Sequence, residues 1–491
     1  MFLDKFGISN FKCFSEPIQI AQRPITINIG PNNSGKSSVV NAINLVKHSL
    51  ELQHRSQSTI LESIDSLSLK NFGSPKTYLN DPETELSITL KVHFEETPKW
   101  LLNKSVSITL FYTYCNNYKC SIKSKIPKAS GSIISLVKEA DGLGTISKYV
   151  ININNIPTIL ISRGKFDKKS KFLDYKNWGE MQVYDYRKGN ETSNPLLSEY
   201  HTKLEFDFYT FTDPKQLNAC IEQAFKETPI KNDTQWSQLI KESLNSIIEF
   251  QEHISKVKTI DLNRREYKRH FDNETQGPFK DFIHQYYSRG ENNIEKTKEL
   301  LKLILPLFNL PNKLKITEPV DYGFQIFLEM PDGSERNIVD FGSGINQLLP
   351  LLLLSSGKIK SVNEYNSETK SHEPRYLNSL IIVEEPESNL HPNFQSKLAD
   401  MFTILHKERN LNFMIETHSE YMVRKFQNLI ASGELNHKAI IINYFWESKG
   451  IHKCKQIEFK EDGGLTDTFE NGFFDESFML EMDLLKTKNL N

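Results

Sequence analysis

Residues Gly30-Pro31-Asn32-Asn33-Ser34-Gly35-Lys36-Ser37 fit the pattern G-x-x-x-x-G-K-[ST], and the chain on either side fits what that pattern demands. The preceding run Ile25-Thr26-Ile27-Asn28-Ile29 is β-branched and alternating, so it reads as a strand; Ser38 to Leu45 reads as a helix. A strand, a glycine loop and a helix N-terminus make an anion cradle. The glycines let backbone N–H groups close on phosphates, and the helix dipole favours their charge. In such a phosphate-binding loop Lys36 reaches the β- and γ-phosphates and the Ser37 hydroxyl takes a place on Mg²⁺. The expected nucleotide contacts are Gly30, Asn32, Asn33, Ser34, Gly35, Lys36, Ser37 and Ser38.

A second element of phosphate chemistry lies about 350 residues further on, at a separation read against ordinary domain sizes. Leu380-Ile381-Ile382-Val383 is a continuous apolar run that ends in Glu384-Glu385-Pro386. A strand buried on both faces has that form, and its carboxylates emerge at the edge where α/β sheets bind ligands. This is a Walker B pattern: Glu384 would hold Mg²⁺, directly or through water, and Glu385 would polarise the attacking water. Upstream, Asp340-Phe341-Gly342-Ser343-Gly344 is a tight glycine turn opening an apolar helix, a further phosphate site candidate through Ser343 and Gly344. Downstream, Phe413-Met414-Ile415-Glu416-Thr417-His418 reads as a strand ending in a histidine that could hydrogen-bond a γ-phosphate.

The bulk composition places few further limits. The 491 residues allow two or three domains, and 38% hydrophobic with 25% charged residues is ordinary for a globular protein. A net charge of −2 gives no whole-chain argument for nucleic acid, although a local basic groove stays open. Five scattered cysteines (Cys13, Cys115, Cys120, Cys220, Cys454) read as free thiols in a reducing cytoplasm. No apolar run reaches membrane-spanning length, and no signal peptide is evident.

Along the chain, residues 1–50 read as three strands, a loop and a helix. Alternating stretches between 84 and 190 predict an antiparallel sheet, and 205–310 change to helical spacing at Trp236–Val257 and Asn293–Phe308. Strand period returns over Leu314–Ile338, with a hairpin turn at Pro331-Asp332-Gly333. A polar run at 355–375 reads as a loop, and a turn is expected at Asp462-Gly463-Gly464. The basic stretch Arg264-Arg265-Glu266-Tyr267-Lys268-Arg269 reads either as a solvated helix face or as a site for phosphates or an acidic partner.

The order of these motifs resembles the ABC-type ATPase heads of the RecF, SMC and overcoming-lysogenisation-defect (OLD) proteins. Asn10-Phe11-Lys12-Cys13-Phe14 is similar to that group's N-terminal N-F-K-x-F strand, which lies near the nucleotide base. Glu387-Ser388-Asn389-Leu390-His391-Pro392 is similar to its E-x-x-L-H-P loop. The likeness covers residues 1–50 and 314–450 well and the middle poorly. It implies an α/β fold: an ABC-type P-loop ATPase head with a mixed sheet, an antiparallel β-lobe and a helical insertion. The expected divisions are 1–204 and 313–450 for the two halves of the head, 205–312 for the insertion and 451–491 for a small C-terminal segment. The implied ligands are ATP and Mg²⁺. The implied mechanism is a homo-oligomer of ATP-bridged head dimers, each nucleotide clamped between one P-loop and the partner's glycine turn, with Glu385 and His418 driving release. That turn usually runs L-S-x-G; here Gly342 stands at the serine position, so Ser343 or the Gly344 N–H would substitute. The phosphate-sensing glutamine of many ABC proteins is not assigned.

OLD proteins often carry a TOPRIM nuclease of roughly a hundred residues or more, whereas about seventy follow His418, so no nuclease site is expected in this chain. The C-terminal Gly472-Phe473-Phe474-Asp475 resembles a small domain ending bacterial ATPases of this group, which are commonly encoded beside an effector in anti-phage defence. The Septu type pairs with an HNH nuclease and the PARIS type with a TOPRIM protein. Three functions are therefore open: a sensor or scaffold controlling a separate effector nuclease, a RecF-like DNA-binding repair ATPase, and an assembly that binds nucleotide with little turnover. DNA is a candidate partner; a membrane is not.

Overall fold

The computed structural model describes residues 5–53, 86–92, 102, 105–113, 120–127, 133–140, 145–163, 178–183, 200–205, 214–226, 234–255, 257–261, 291–311, 313–317, 325–342, 348–349, 351–352, 361–366, 371–376 and 380–469. The central sheet has six strands. β3 (Ile25–Ile29), β12 (Lys258–Asp261), β18 (Leu380–Glu384), β19 (Asn412–Thr417), β20 (Ile440–Ser448) and β21 (Ile451–Glu458) lie in the order β12-β18-β19-β3-β20-β21. The first five run parallel, and β21 returns antiparallel on β20. Every residue of β3 and of β19 is buried. A parallel strand covered on both faces has no solvent side to display, which suits the apolar run Phe413-Met414-Ile415 of β19, while in β3 the alternating Thr26 and Asn28 are buried as well.

Alternate residues of these strands feed two cores. Ile25, Ile27, Ile381, Val383, Phe413 and Ile415 pack with the helices Glu291–Ile304, Pro392–Arg409 and Glu420–Ala431. Leu380, Ile382 and Met414 face the other way, toward helix α1 (Lys36–Gln53), the helices Pro214–Lys226 and Thr234–Ser255, and the β-lobe. Leu239, Ile240, Leu244, Ile247, Phe250 and Ile254 are the buried stripe of Thr234–Ser255, at the helical spacing read from the sequence.

The β-lobe is an eight-stranded antiparallel sheet. It is made of β1 (Lys5–Ser9), β2 (Ile18–Ala21), β4 (Leu86–Lys91), β5 (Val106–Thr113), β8 (Thr145–Ile153), β9 (Ile156–Arg163), β10 (Trp178–Val183) and β11 (Tyr200–Glu205), in the order β11-β10-β9-β8-β5-β4-β1-β2. A separate hairpin joins β6 (Cys120–Pro127) to β7 (Ile133–Ala140). One buried side chain stitches lobe to sheet: Asn443 of β20 accepts the Ala21 N–H of β2 at 3.0 Å and donates to the Ala21 carbonyl at 2.9 Å. It also donates to Asn28 Oδ1 of β3 at 3.0 Å. Removing it would leave those buried partners unpaired, which costs more than the bonds themselves contribute.

β13 (Leu314–Thr317), β14 (Gln325–Glu329) and β15 (Glu335–Asn337) form a three-stranded sheet, with Gly333 at φ +81° in the expected turn. The polar run expected as a loop instead pairs β16 (Ser361–Asn366) with β17 (Ser371–Tyr376) in register Ser361↔Tyr376. Ladder bonds use only backbone groups, so a strand pair without an apolar face leaves no hydrophobic alternation to read. Two of the expected divisions also meet continuous structure. β12 lies within 205–312 and is a strand of the central sheet, and 450/451 falls in the β20–β21 hairpin, turned by Lys449 (φ +53°) and Gly450 (φ +78°). Arg264, Arg265 and Arg269, and Gly472-Phe473-Phe474, lie outside the described residues. Among the described residues no helix is long and apolar enough to cross a membrane.

Candidate nucleotide and metal site

The loop after β3 is built so that only glycine fits at its two ends. Gly30 has φ +157°, and a Cβ there would come within 2.2 Å of the Phe445 carbonyl oxygen. Gly35 has φ +106°, and its Cβ would stand 2.7 Å from the Phe14 ring and 2.8 Å from Cys13 Sγ. Asn33 between them is also left-handed, at φ +61°. The N-F-K-C-F turn is therefore the floor of this loop. Phe11 and Phe14 are fully buried, exchange backbone hydrogen bonds and reverse the chain through left-handed Asn10 and Lys12. His452 of β21 braces the other side. Its Nδ1 lies 3.2 Å from the Ser34 carbonyl, which can only accept, so that nitrogen carries the proton.

Lys36 is folded onto its own loop, donating to the carbonyls of Gly30 at 3.0 Å and Pro31 at 2.8 Å. It is only 4% exposed. Burial pulls its pKa down, and the neighbouring Glu416, Glu385 and Glu387 partly restore it. The buried Ser34 hydroxyl has no protein partner.

Strand order decides which acid meets the loop. β19 lies between the Walker B strand β18 and the loop's own strand β3. In register, Asp261, Glu384, Glu416 and Asn28 form one row across β12, β18, β19 and β3. Glu416 is thus one strand nearer to the loop than Glu384. The Ser37 hydroxyl donates to Glu416 Oε1 at 2.5 Å, while Glu416 Oε2 is buried without a partner. Glu416 is 3% exposed; burial raises its pKa, with the Ser37 bond and Lys36 opposing.

Glu385 turns the chain out of β18 with φ +45°, an uncommon conformation for a non-glycine residue, held by its N–H donating to the Glu416 carbonyl at 2.8 Å. Ser388 donates to Glu385 Oε2 at 3.2 Å, and His418 Nε2 stands 4.0 Å from Glu385 Oε1. Glu387 accepts the His418 N–H at 2.6 Å on one oxygen and leaves the other buried and unpartnered. Burial raises its pKa too. Burial, then Lys36, holds His418 below the ordinary imidazole range, so it is neutral at neutral pH despite Glu385. Ser419 fixes the turn that follows. Its hydroxyl accepts the Met422 N–H at 3.2 Å, capping the helix Glu420–Ala431, and donates to Gln395 at 2.8 Å.

The fold therefore brings Lys36, Ser37, Glu384, Glu385 and His418 to one edge of the sheet. Asn32 and Asn33 sit exposed on the loop, and Ser38 N–H bonds the Gly35 carbonyl at 3.0 Å. Ser343 and Gly344 lie outside the described residues. Neither Glu416 nor Glu387 is expected as a site residue from the sequence, where Glu387 enters only as the first residue of the E-x-x-L-H-P loop. The signal for Glu416 was the one used for Glu384, an apolar run ending in an acid.

A hard divalent cation suits this donor set of a serine hydroxyl and carboxylates. Among the described residues no three His, Cys, Asp or Glu side chains gather to hold a metal unaided. An ion here would complete its shell with phosphate oxygens, as Mg²⁺ commonly does.

Residues 1–423 match the AAA ATPase domain family. The chain belongs to that family. Its fold joins a mixed central sheet, an antiparallel β-lobe and flanking helices. A stretch of 47 residues is 51% identical to the chromosome partition protein Smc of Halothermothrix orenii, spanning 9% of this chain and 4% of that protein. Similar solved structures include the SMC head domain from Thermotoga maritima, with a TM-score of 0.37 and 11% identity, covering 93% of this chain and all of that one. Another is a Pyrococcus furiosus Smc head with an extended coiled coil bound to the C-terminal domain of ScpA, with a TM-score of 0.35 and 11% identity over 93% of this chain and 96% of that one.

The raised pKa of Glu416 has a definite sign for stability in the ligand-free ATPase domain. A carboxyl whose folded pKa exceeds its ordinary 4.5 favours folding most below that value, and the benefit is lost as pH rises through the folded pKa. Glu416→Gln, which keeps an acceptor for Ser37, should therefore gain stability relative to the unaltered chain as pH rises above 4.5. Urea denaturation across that range measures it; a difference independent of pH would contradict the burial argument.

Proposed function

We propose that this ATPase binds and hydrolyses ATP with Mg²⁺ as the sensor or scaffold subunit of a cytoplasmic anti-phage defence complex, and that it controls a separately encoded effector nuclease of HNH or TOPRIM type. The observation carrying the enzymatic part is the convergence of Lys36, Ser37, Glu385 and His418 on one sheet edge. In this reading Gly30 and Asn32 to Ser38 wrap the phosphates, Glu384 helps to hold Mg²⁺, and Glu385 polarises the attacking water. His418 reports the γ-phosphate. Two copies close on each other, and Ser343 or Gly344 of one copy's glycine turn completes the other copy's site. Donors that reach the γ-phosphate only in the closed pair would make ATP drive closure and hydrolysis drive release.

The scaffold role is supported by the sequence resemblance to stand-alone defence ATPases. Helix length supports it too. Between the two halves of the head the described helices are 13, 22 and 14 residues long, the size of a docking platform rather than of an SMC arm.

Lys36→Ala should abolish nucleotide binding, whereas Glu385→Gln should keep binding and lose phosphate release by about a hundredfold or more, within the usual range for a general base. Equilibrium binding and a phosphate assay separate the two. Turnover unaffected by Glu385→Gln would remove Glu385 from the chemistry.

The defence reading is tested by affinity purification of the chain expressed with its genomic neighbours. A stoichiometric nuclease in the eluate is the expected result. A lone oligomer that binds DNA only with ATP, with affinity falling steeply as salt rises, would replace it with the RecF-like repair reading.

A further inference from the structure

We propose that Glu416 is a direct ligand of the divalent cation at this site, sharing the ion with Ser37 one strand closer to the phosphate loop than Glu384. The assignment rests on the nucleotide-binding reading above. Three independent observations carry it.

The first is valence left unfilled. Glu416 is almost wholly buried, one carboxylate oxygen accepts the Ser37 hydroxyl hydrogen bond, and the other has no partner. A buried acceptor without a partner is costly, and natural structures keep one where something else fills it. The second is placement. Ser37 donates its hydrogen to Glu416, which leaves the serine oxygen lone pairs for an ion adjacent to that same carboxylate. The third is charge. Glu416 and Glu387 are both buried beside Lys36, and a polyphosphate arriving there would add repulsion that a single lysine does not offset. A divalent ion between carboxylate and phosphate removes that conflict. Glu384, one strand further out, already has the charge of Lys12 nearby.

The competing role for Glu416 is purely structural, a hydrogen-bond acceptor that orients Ser37. Glutamine would fill that role equally well, so Glu416→Gln distinguishes the two. The probe is Mn²⁺, titrated by electron paramagnetic resonance into the full chain loaded with ADP, alongside ADP affinity measured in excess chelator. Glu416→Gln, which removes a charge that repels phosphate, should bind ADP without metal at least as tightly as the unaltered chain does, but bind Mn²⁺ at the ADP complex about tenfold or more weakly. Glu384→Gln should weaken Mn²⁺ less.

Unchanged Mn²⁺ affinity in Glu416→Gln would overturn the assignment. If that variant does not fold, Glu416→Asp keeps the charge and withdraws it by one methylene; it should also weaken Mn²⁺ and leave metal-free ADP affinity alone, and unchanged Mn²⁺ affinity would again overturn the idea. If the unaltered chain binds no ADP, the nucleotide reading itself falls and takes this assignment with it.

Discussion

β19 runs between the Walker B strand and the strand that delivers the phosphate loop, and the chemistry of this molecule depends on that interleaving. Parallel strands in register put their C-terminal residues side by side. The acids of β18, the Glu416-Thr417-His418 end of β19 and the Gly30–Ser37 loop after β3 therefore open on one edge. Residues about 350 and 380 positions apart from the loop in the chain become near neighbours because crossover connections bring each strand back parallel. Helices on both faces of the sheet hold the strand ends rigid, and rigidity matters where a carboxylate must meet a hydroxyl at hydrogen-bond distance.

The edge stores unfavourable electrostatics. Glu416 and Glu387 are buried acids whose pKa values are raised, Lys36 is a buried base whose pKa is lowered, and all three lie within reach of Glu385. Burial opposes every one of these charges, so the ligand-free site is held together by mutual compensation and by the surrounding fold. Lys36 spends its hydrogen bonds on the Gly30 and Pro31 carbonyls, and in the proposed nucleotide reading it would exchange them for phosphate oxygens. Perturbed groups gathered at one strand edge are the physical mark of a binding or catalytic site.

Much of this was legible in the sequence because local rules were obeyed. The glycine pattern named the loop, β-branched alternation named β3, and apolar runs ending in an acid named β18 and β19. The 3.6-residue spacing read over Trp236–Val257 named the helix Thr234–Ser255. What stayed hidden depended on contacts across the chain. That Glu416 rather than Glu384 meets Ser37 follows from strand order, which periodicity does not encode. The bracing of the loop by His452 and the Asn443 stitch join residues more than 400 positions apart. The 205–312 segment read as an insertion because its helices dominate the pattern, whereas the four residues of β12 within it are too short to announce a strand of the central sheet.

Hydrogen exchange of the full chain with and without ATP and Mg²⁺, read by mass spectrometry, tests the central claim that these strand ends form one nucleotide site. The account predicts slowed exchange in peptides covering Gly30–Ser38, Glu384–Ser388 and Glu416–Ser419 together, at the same nucleotide concentration. Protection of the loop alone, with the Walker B and His418 segments unchanged, would contradict it.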